Sequence, residues 1–220
     1  MHDVDHIYSR LRQSGHPGWG GEHHSRRLEG WASMVARLVA EPMFPCAPAQ
    51  LLELGTGNGM VASLFAQRGY AVEGIDISRE AIGWARELFI AASLAGAFHH
   101  GDICAMPFDA GRFDIAIDGN CLHCLIGADR RRGLAEVKRV LRPRGMLLVS
   151  TMCGLPKSDD ARAQYDAATR TLRRDGFTYR TLLPAEDIAC EIAAAGFQII
   201  SQEIAENSWW DHLTLLAMRE

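Results

Sequence analysis

The chain has 220 residues, 48% of them hydrophobic and 23% charged, the usage of one globular domain large enough to bury a sizeable core. A formal net charge of −4 supplies no basic field, so no nucleic-acid partner is expected, and no apolar run reaches the ~20 residues that cross a bilayer. The start, Met1-His2-Asp3-Val4-Asp5, lacks the basic and apolar regions of a secretory leader, and a chain of this size needs no disulfide staples. A cytoplasmic protein with reduced thiols and no membrane partner is expected.

Residues 1–27 are polar, with Tyr8 and Trp19 among His, Gly and Arg, and His16-Pro17-Gly18-Trp19-Gly20-Gly21 predicts a turn. The spacing of Leu28, Trp31, Met34, Val35, Leu38 and Val39 predicts a helix over 28–40, ended by a proline-rich linker. Leu51-Leu52-Glu53-Leu54 then reads as a buried strand running into Gly55-Thr56-Gly57-Asn58-Gly59. Glycine permits positive φ and leaves no Cβ in the way, so this backbone is built to come close to something. The helix that follows, with Val61, Leu64 and Phe65 on one face, directs free N–H groups to the same spot. A nucleotide-like ligand suits both features.

Further strands are predicted at 71–76, 98–100, 113–118 and 146–150, separated by helices with buried faces at Ala81, Ile82, Ala85, Leu88 and at Leu134, Val137, Val140, Leu141. Ser78 is the expected N-cap of the first of these. Residues 155–183 read as a polar, helical insertion without a strand. A helix over 184–195 and two strands at 197–204 and 213–218 follow, the short link between them favouring an antiparallel hairpin. Short apolar strands alternating with helices predict an α/β fold: a doubly wound, Rossmann-like, seven-stranded, mostly parallel sheet with its last strand antiparallel and an N-terminal helical cap. A single domain is expected, divided into cap (1–45), core (46–154), insertion (155–183) and C-terminal helix with hairpin (184–220).

Ligands of such sheets sit outside the carboxyl ends of the strands. Asp76 stands 17 positions past Gly59, where a carboxylate accepts from two ribose hydroxyls. Asp102 can accept from an adenine amine, with Ile77 and Ile103 on either side of the ring. The glycine spacing argues against a nicotinamide cofactor, because Met60 stands where the dinucleotide pattern wants its third glycine.

The runs E-L-G-T-G-N-G, G-I-D-I-S, G-D-I-x-x-M-P-F, F-D-I-A-I, L-H-C-L and E-V-K-R-V-L-R-P-R-G-M-L-L occur in the order and spacing of the class I S-adenosylmethionine (SAM)-dependent methyltransferases. The chain resembles that family, most of all its small-molecule, ubiquinone-biosynthesis branch, over residues 50–153. The resemblance implies SAM as cofactor and S-adenosylhomocysteine as product. It implies that Glu53 and the loop Gly55, Thr56, Gly57, Asn58 and Gly59 face the methionine part. Asp76 and Ile77 would hold ribose and adenine, Asp102 and Ile103 the far adenine edge, and Asp118, Gly119 and Asn120 the wall beside the sulfonium. Arg144 departs from the family's usual glycine, and Cys121 and Cys124 are unusual after the fourth strand.

On the acceptor side, methyl transfer is an in-line displacement, and the enzyme positions the acceptor about 3–3.5 Å from the methyl carbon and excludes water. His123 is the candidate base or acceptor-orienting residue, or else a structural histidine bonded to the backbone. Tyr8, Trp19 and His23 of the cap, with Cys121 and Cys124, are candidate acceptor contacts. No metal is assigned, but three thiols (Cys121, Cys124 and Cys153) suit a thiophilic acceptor such as arsenite. Arg130, Arg131 and Arg132 are either a solvated helix face or an anion-binding row. The expected activity is methylation of N, O or S of a small molecule by a monomer or homodimer. The alternatives are metalloid methylation and SAM binding without catalysis.

Overall fold

The structure is a computed structural model that describes residues 4–220; residues 1–3, the start of the expected cap, lie outside the described residues. Strand β1 (Gln50–Leu54) sits in the middle of the sheet because it is apolar on both faces: Leu51 joins one core and Leu52 the other. It pairs in parallel with β2 (Ala71–Asp76) on one side and β4 (Phe113–Gly119) on the other. Outward from these lie β3 (Ala97–His100), parallel to β2, and β5 (Leu141–Cys153), parallel to β4. The hairpin β9 (Phe197–Ala205) and β10 (Asp211–Arg219) completes the sheet, with β10 antiparallel between β5 and β9. The strand order β3-β2-β1-β4-β5-β10-β9 reverses direction between β1 and β4, so the loops after these two strands face each other across the switch point.

Helices cover both faces. Helices α2 (His24–Leu38), α3 (Met60–Ala66) and α4 (Arg79–Ala91) pack Trp31, Val35, Phe65, Ile82 and Phe89 against Leu51, Ile115 and Leu148. Helices α5 (Ala128–Val140) and α7 (Ala185–Ala194) pack Leu134, Val137, Ile188 and Ile192 on the other face. Each fully buried Leu or Phe contributes about 1.5–3 kcal/mol over exposure. Ser78 caps α4 by accepting from Ala81 N at 3.0 Å, as expected.

The leading helix α1 (Val4–Gln13) lies across α4. Asp5 accepts from Ser78 Oγ and Glu80 N, and Arg12 bonds Glu80 and Glu87 at 2.9 and 2.7 Å while lying 5.6 Å from the Trp84 ring. Helix α2 begins four residues before the predicted start at 28, with His24 buried in its first turn.

The insertion differs from its prediction. It holds a short helix α6 (Asp159–Gln164) and a three-stranded antiparallel sheet of β6 (Tyr165–Asp166), β7 (Thr171–Arg174) and β8 (Phe177–Thr181). These strands are short and largely exposed, so they carry almost no apolar alternation; only Thr171, Leu172 and Thr181 are buried in β7 and β8. The signal present was Asp175-Gly176, both at positive φ (51° and 79°), the pair that two-residue hairpin turns favour.

Arg144 carries φ 62° in the turn that opens β5's apolar run, a left-handed conformation that costs an L side chain about 1–2 kcal/mol. Its side chain is exposed and makes no bond there that glycine would forfeit. Arg144→Gly is expected to raise Tm by roughly 2–4 °C in thermal unfolding followed by circular dichroism, a net gain of about 1 kcal/mol. An unchanged or lower Tm counts against strain at this turn.

Candidate functional site

Three carboxyls end the three central strands. Glu53 lies near the end of β1, Asp76 closes β2, and Asp118 stands near the end of β4, all buried. Each is held by backbone N–H groups. Glu53 Oε2 accepts from Ala62 N at 2.9 Å and Thr56 Oγ1 at 2.7 Å, tying the glycine loop to the start of α3. Asp76 accepts from Gly57 N and Ser78 N, both at 2.8 Å, one on each oxygen. Asp118 Oδ1 accepts from Cys121 N at 2.8 Å and Leu122 N at 2.7 Å, while Oδ2 is buried with no partner among the described residues.

Burial raises all three from their ordinary values. Glu53 is pushed up to about 8, with Asp76 and Asp118 adding to the effect of burial, and Asp118 to about 7. A cationic ligand stabilises the ionised forms and supplies a donor for Asp118 Oδ2. SAM carries an ammonium and a sulfonium, so the residues present fit the cofactor that the sequence resemblance implies.

The glycine loop lies under the cap. Gly55, Gly57 and Gly59 all have positive φ. A Cβ on Gly55 would come 2.6 Å from Cys121 Sγ, and one on Gly57 2.9 Å from the Tyr8 hydroxyl, so both contacts exist only because the side chains are missing. Tyr8 is buried, its ring centroid 5.2 Å from that of Trp19. Asn58 Nδ2 donates to Pro17 O at 3.3 Å, which fastens the cap's turn to the loop. Cap and loop are thus one unit, with Tyr8 against Gly57 and Trp19 packed beside Tyr8.

The remaining sequence-chosen residues spread out. Ile77 is 48% exposed whereas Ile103 is buried, and Asp102 is exposed, its Oδ1 accepting from Cys104 N at 2.8 Å. Gly119 and Asn120 line the exit of β4, Asn120 at φ 80°, a conformation asparagine tolerates well. His23 is exposed at the cap surface; its neighbour His24 is the buried one, with Nδ1 3.4 Å from Trp19 O. His and Arg at adjacent positions could not be separated by sequence, because which one turns inward depends on how the cap docks.

His123 is buried in the turn 122–124, its Nδ1 3.1 Å from Thr151 Oγ1. Burial, followed by Arg180, His212 and two further arginines, drives its pKa well below the ordinary histidine value. It is therefore neutral at pH 7 and a weak base. Close by, His212 Nε2 meets Ser150 Oγ at 2.8 Å and is lowered to about 4. Cys121 and Cys124 are pushed upward by burial, Cys124 to about 11, so both are thiols and not thiolates. No group of three His, Cys, Asp or Glu among the described residues is placed to hold an ion, so the three-thiol reading has no geometry behind it. Nor do Arg130–Arg132 form an anion-binding row: Arg130 is buried against Glu191 and Leu122 O, and Arg132 pairs with Asp129.

Sequence reasoning passed over Arg180. Strand β8 brings it above the turn 122–124, where Thr181 Oγ1 donates to Leu125 O at 2.8 Å. Arg180 lies 5.4 Å from the Tyr179 ring and 5.9 Å from that of Trp210. An insertion read as a solvated helix gave no reason to aim any of its residues at the core.

Comparison with known proteins gives the fold a relation. The family described as "Methyltransferase domain" matches residues 52–149. Malonyl-[acyl-carrier protein] O-methyltransferase of Salmonella typhimurium is 30% identical over 203 residues, which cover 90% of this chain and 71% of that protein. Demethylmenaquinone methyltransferase of Thermus thermophilus is 34% identical over 113 residues, half of each chain. Among solved structures, 1,6-didemethyltoxoflavin-N1-methyltransferase of Burkholderia thailandensis, with 1,6-didemethyltoxoflavin and S-adenosylhomocysteine bound, superposes with a TM-score of 0.65 at 19% identity, covering 98% of this chain and 90% of that one.

The buried carboxyls set a pH dependence. Glu53 titrates near 4.5 when free and about 8 when folded, so between those values the folded chain holds more protons than the unfolded one and stability falls as pH rises. The lowered histidines act in the opposite sense only below about pH 6.5, where the unfolded chain binds their protons. Urea unfolding without cofactor is therefore expected to show lower stability at pH ~8.5 than at pH ~7, with a flatter dependence in Glu53→Gln. Equal slopes in the two proteins would refute this placement of Glu53.

Proposed function

This chain belongs to the class I SAM-dependent methyltransferases, and from that membership we propose that it methylates N, O or S of a small-molecule acceptor held beneath the N-terminal cap. It is an enzyme whose cofactor is SAM. When bound, SAM supplies an electrophilic methyl group on a positively charged sulfur.

The chain's own residues do the rest. Glu53 and Asp118 give the cationic end of the cofactor a negative, water-poor floor, and Asp118 Oδ2 is the free acceptor on it. Asp76 keeps a lone pair on each oxygen beyond those engaged by Gly57 N and Ser78 N, enough for two ribose hydroxyls. Ile77 and Ile103 flank the adenine position. Tyr8 and Trp19 close the loop side and exclude water, the condition under which fixed charges act most strongly. His123 positions the acceptor wall through Thr151, and its lowered basicity makes it an orienting group in preference to a base.

The observation that carries the reading is the unpartnered, buried Asp118 Oδ2 within the carboxyl trio, beneath a glycine loop of family spacing. The relatives' acceptors, one on an acyl-carrier protein and one a quinone precursor by name, differ from each other, so they leave the acceptor open within this class. No described helix is long and apolar enough to cross a membrane.

Calorimetry with SAM and with NAD tests the cofactor side. SAM is expected to bind and NAD not to, and Asp76→Ala is expected to weaken SAM roughly 30- to 100-fold, about 2–3 kcal/mol for charge-assisted bonds lost in a buried site. Undiminished affinity in Asp76→Ala would exclude the ribose role. Formation of S-adenosylhomocysteine during a screen of amines, phenols, thiols and carboxylic acids tests the transfer itself.

A further inference from the structure

We propose that the acceptor is a carboxylate, that Arg27 and Arg180 hold it at the transfer centre, and that the product is its methyl ester. The inference rests on the methyl-transfer reading above and deepens it.

Two arginines, Arg27 and Arg180, repel each other and both act on His123. Arg27 comes from α2 and runs beneath the cap's turn, so close that a Cβ on Gly20 would lie 2.7 Å from its Cδ. Its Nε is buried with no hydrogen-bond partner. Burial and then the charge of Arg180 both disfavour its ionised form, and only Tyr8 acts, more weakly, the other way. Arg180 arrives from the opposite side, on β8 of the insertion, steadied by the faces of Tyr179 and Trp210. Neither makes an ion pair among the described residues, although thirteen such pairs occur elsewhere among them. Arg130, the third arginine near this turn, is paired with Glu191 and is not available.

The positions of these charges are informative. Arg27 feels Tyr8, which packs on Gly57 of the cofactor loop, and both arginines bear on His123 in the turn after β4. Cys124, beside Arg180, keeps solvent access although burial lifts its thiol to about 11. The two cations therefore act on the same turn after β4, next to the glycine loop on which Tyr8 packs. An unpaired, half-buried guanidinium is costly to maintain, and a planar carboxylate with two acceptor oxygens fits its fork of donors.

Chemistry narrows the acceptor further. An alcohol, phenol or amine must surrender a proton, and none of the described His and Cys residues at this turn is suited to take it. His123 and His212 are neutral and weakly basic, tied to Thr151 and Ser150. Cys121 and Cys124 hold their protons. Glu53 and Asp118 belong to the cofactor floor. A carboxylate arrives ionised and needs no base. One carboxylate oxygen forms a bond to the methyl carbon as the carbon–sulfur bond breaks, and that bond's electron pair stays on sulfur. Sulfonium and carboxylate become thioether and ester, with no proton transferred. The reaction cancels one positive and one negative charge, which a water-excluded site favours.

The test uses the full chain with SAM and four acids, hexanoate, octanoate, phenylacetate and salicylate, each beside its primary amide, together with hexylamine, hexanethiol and phenol. Methyl ester and S-adenosylhomocysteine are read by mass spectrometry, and binding of each acid to the chain loaded with S-adenosylhomocysteine is read by calorimetry. Acids are expected to bind and to give ester, and amides to do neither. Arg180→Met is expected to raise KM and Kd for the acids about 10- to 100-fold, with SAM affinity kept within about twofold. Arg27→Lys should retain part of the acid binding that Arg27→Met loses. Acids no better than their amides, or an unchanged preference in Arg180→Met, would overturn the carboxylate clamp. If SAM binds but no acceptor yields S-adenosylhomocysteine, the methyl-transfer reading fails instead, and acid binding to the loaded chain still decides whether the clamp exists.

Discussion

The desolvation of three carboxyls at the tips of β1, β2 and β4 is the constraint from which the rest of the site follows. Burying carboxyls so near one another is unfavourable, and the fold offsets the cost with backbone donors whose positions it then fixes. Gly57 N must point at Asp76, Ala62 N at Glu53, and Cys121 N and Leu122 N at Asp118. Those bonds shape the glycine loop, the start of α3 and the exit of β4. The same groups that make the site costly when empty make it selective for a cationic ligand, so stability and binding are two readings of one arrangement.

The charges divide the site into two halves. The floor, supplied by the sheet, is acidic; the roof, supplied by the cap and the insertion, carries Arg27 and Arg180. The floor belongs to the part of the chain that matches the methyltransferase-domain family, residues 52–149, whereas both arginines lie outside it. That division fits the way function is distributed on such folds: the shared core binds the cofactor, and the elements added around it select the acceptor. Helix α1 contributes by anchoring, with Asp5 and Arg12 fastening it to α4 so that Tyr8 can rest on the glycine loop.

Arg144 and Asn120 illustrate how a fold tolerates local conflict. Both adopt positive φ beside the site's strands, but asparagine does so at little cost and arginine does not. The strain at Arg144 sits in an exposed turn, away from the chemistry. The cofactor loop itself meets its positive-φ requirements with glycine, at Gly55, Gly57 and Gly59.

The sequence by itself determined the seven-stranded doubly wound sheet, the glycine loop after β1 and the identity of the carboxylates at the strand ends. The physical reason is that each rests on a local pattern: apolar runs of strand length, glycines at alternate positions, an acid directly after a strand. Ser78 as the cap of α4 was legible for the same reason. Only the tertiary structure decided the acceptor side. The strands of the insertion are short and polar, so periodicity gave no sign of them, and with them Arg180 was invisible. His24 and not His23 turned inward, Arg130 proved to be a buried ion-pair partner, and the protonation of His123 was set by burial and by arginines 57 and 96 residues away in the chain. Those outcomes depend on desolvation and on charges brought together from distant segments, quantities that no stretch of sequence contains.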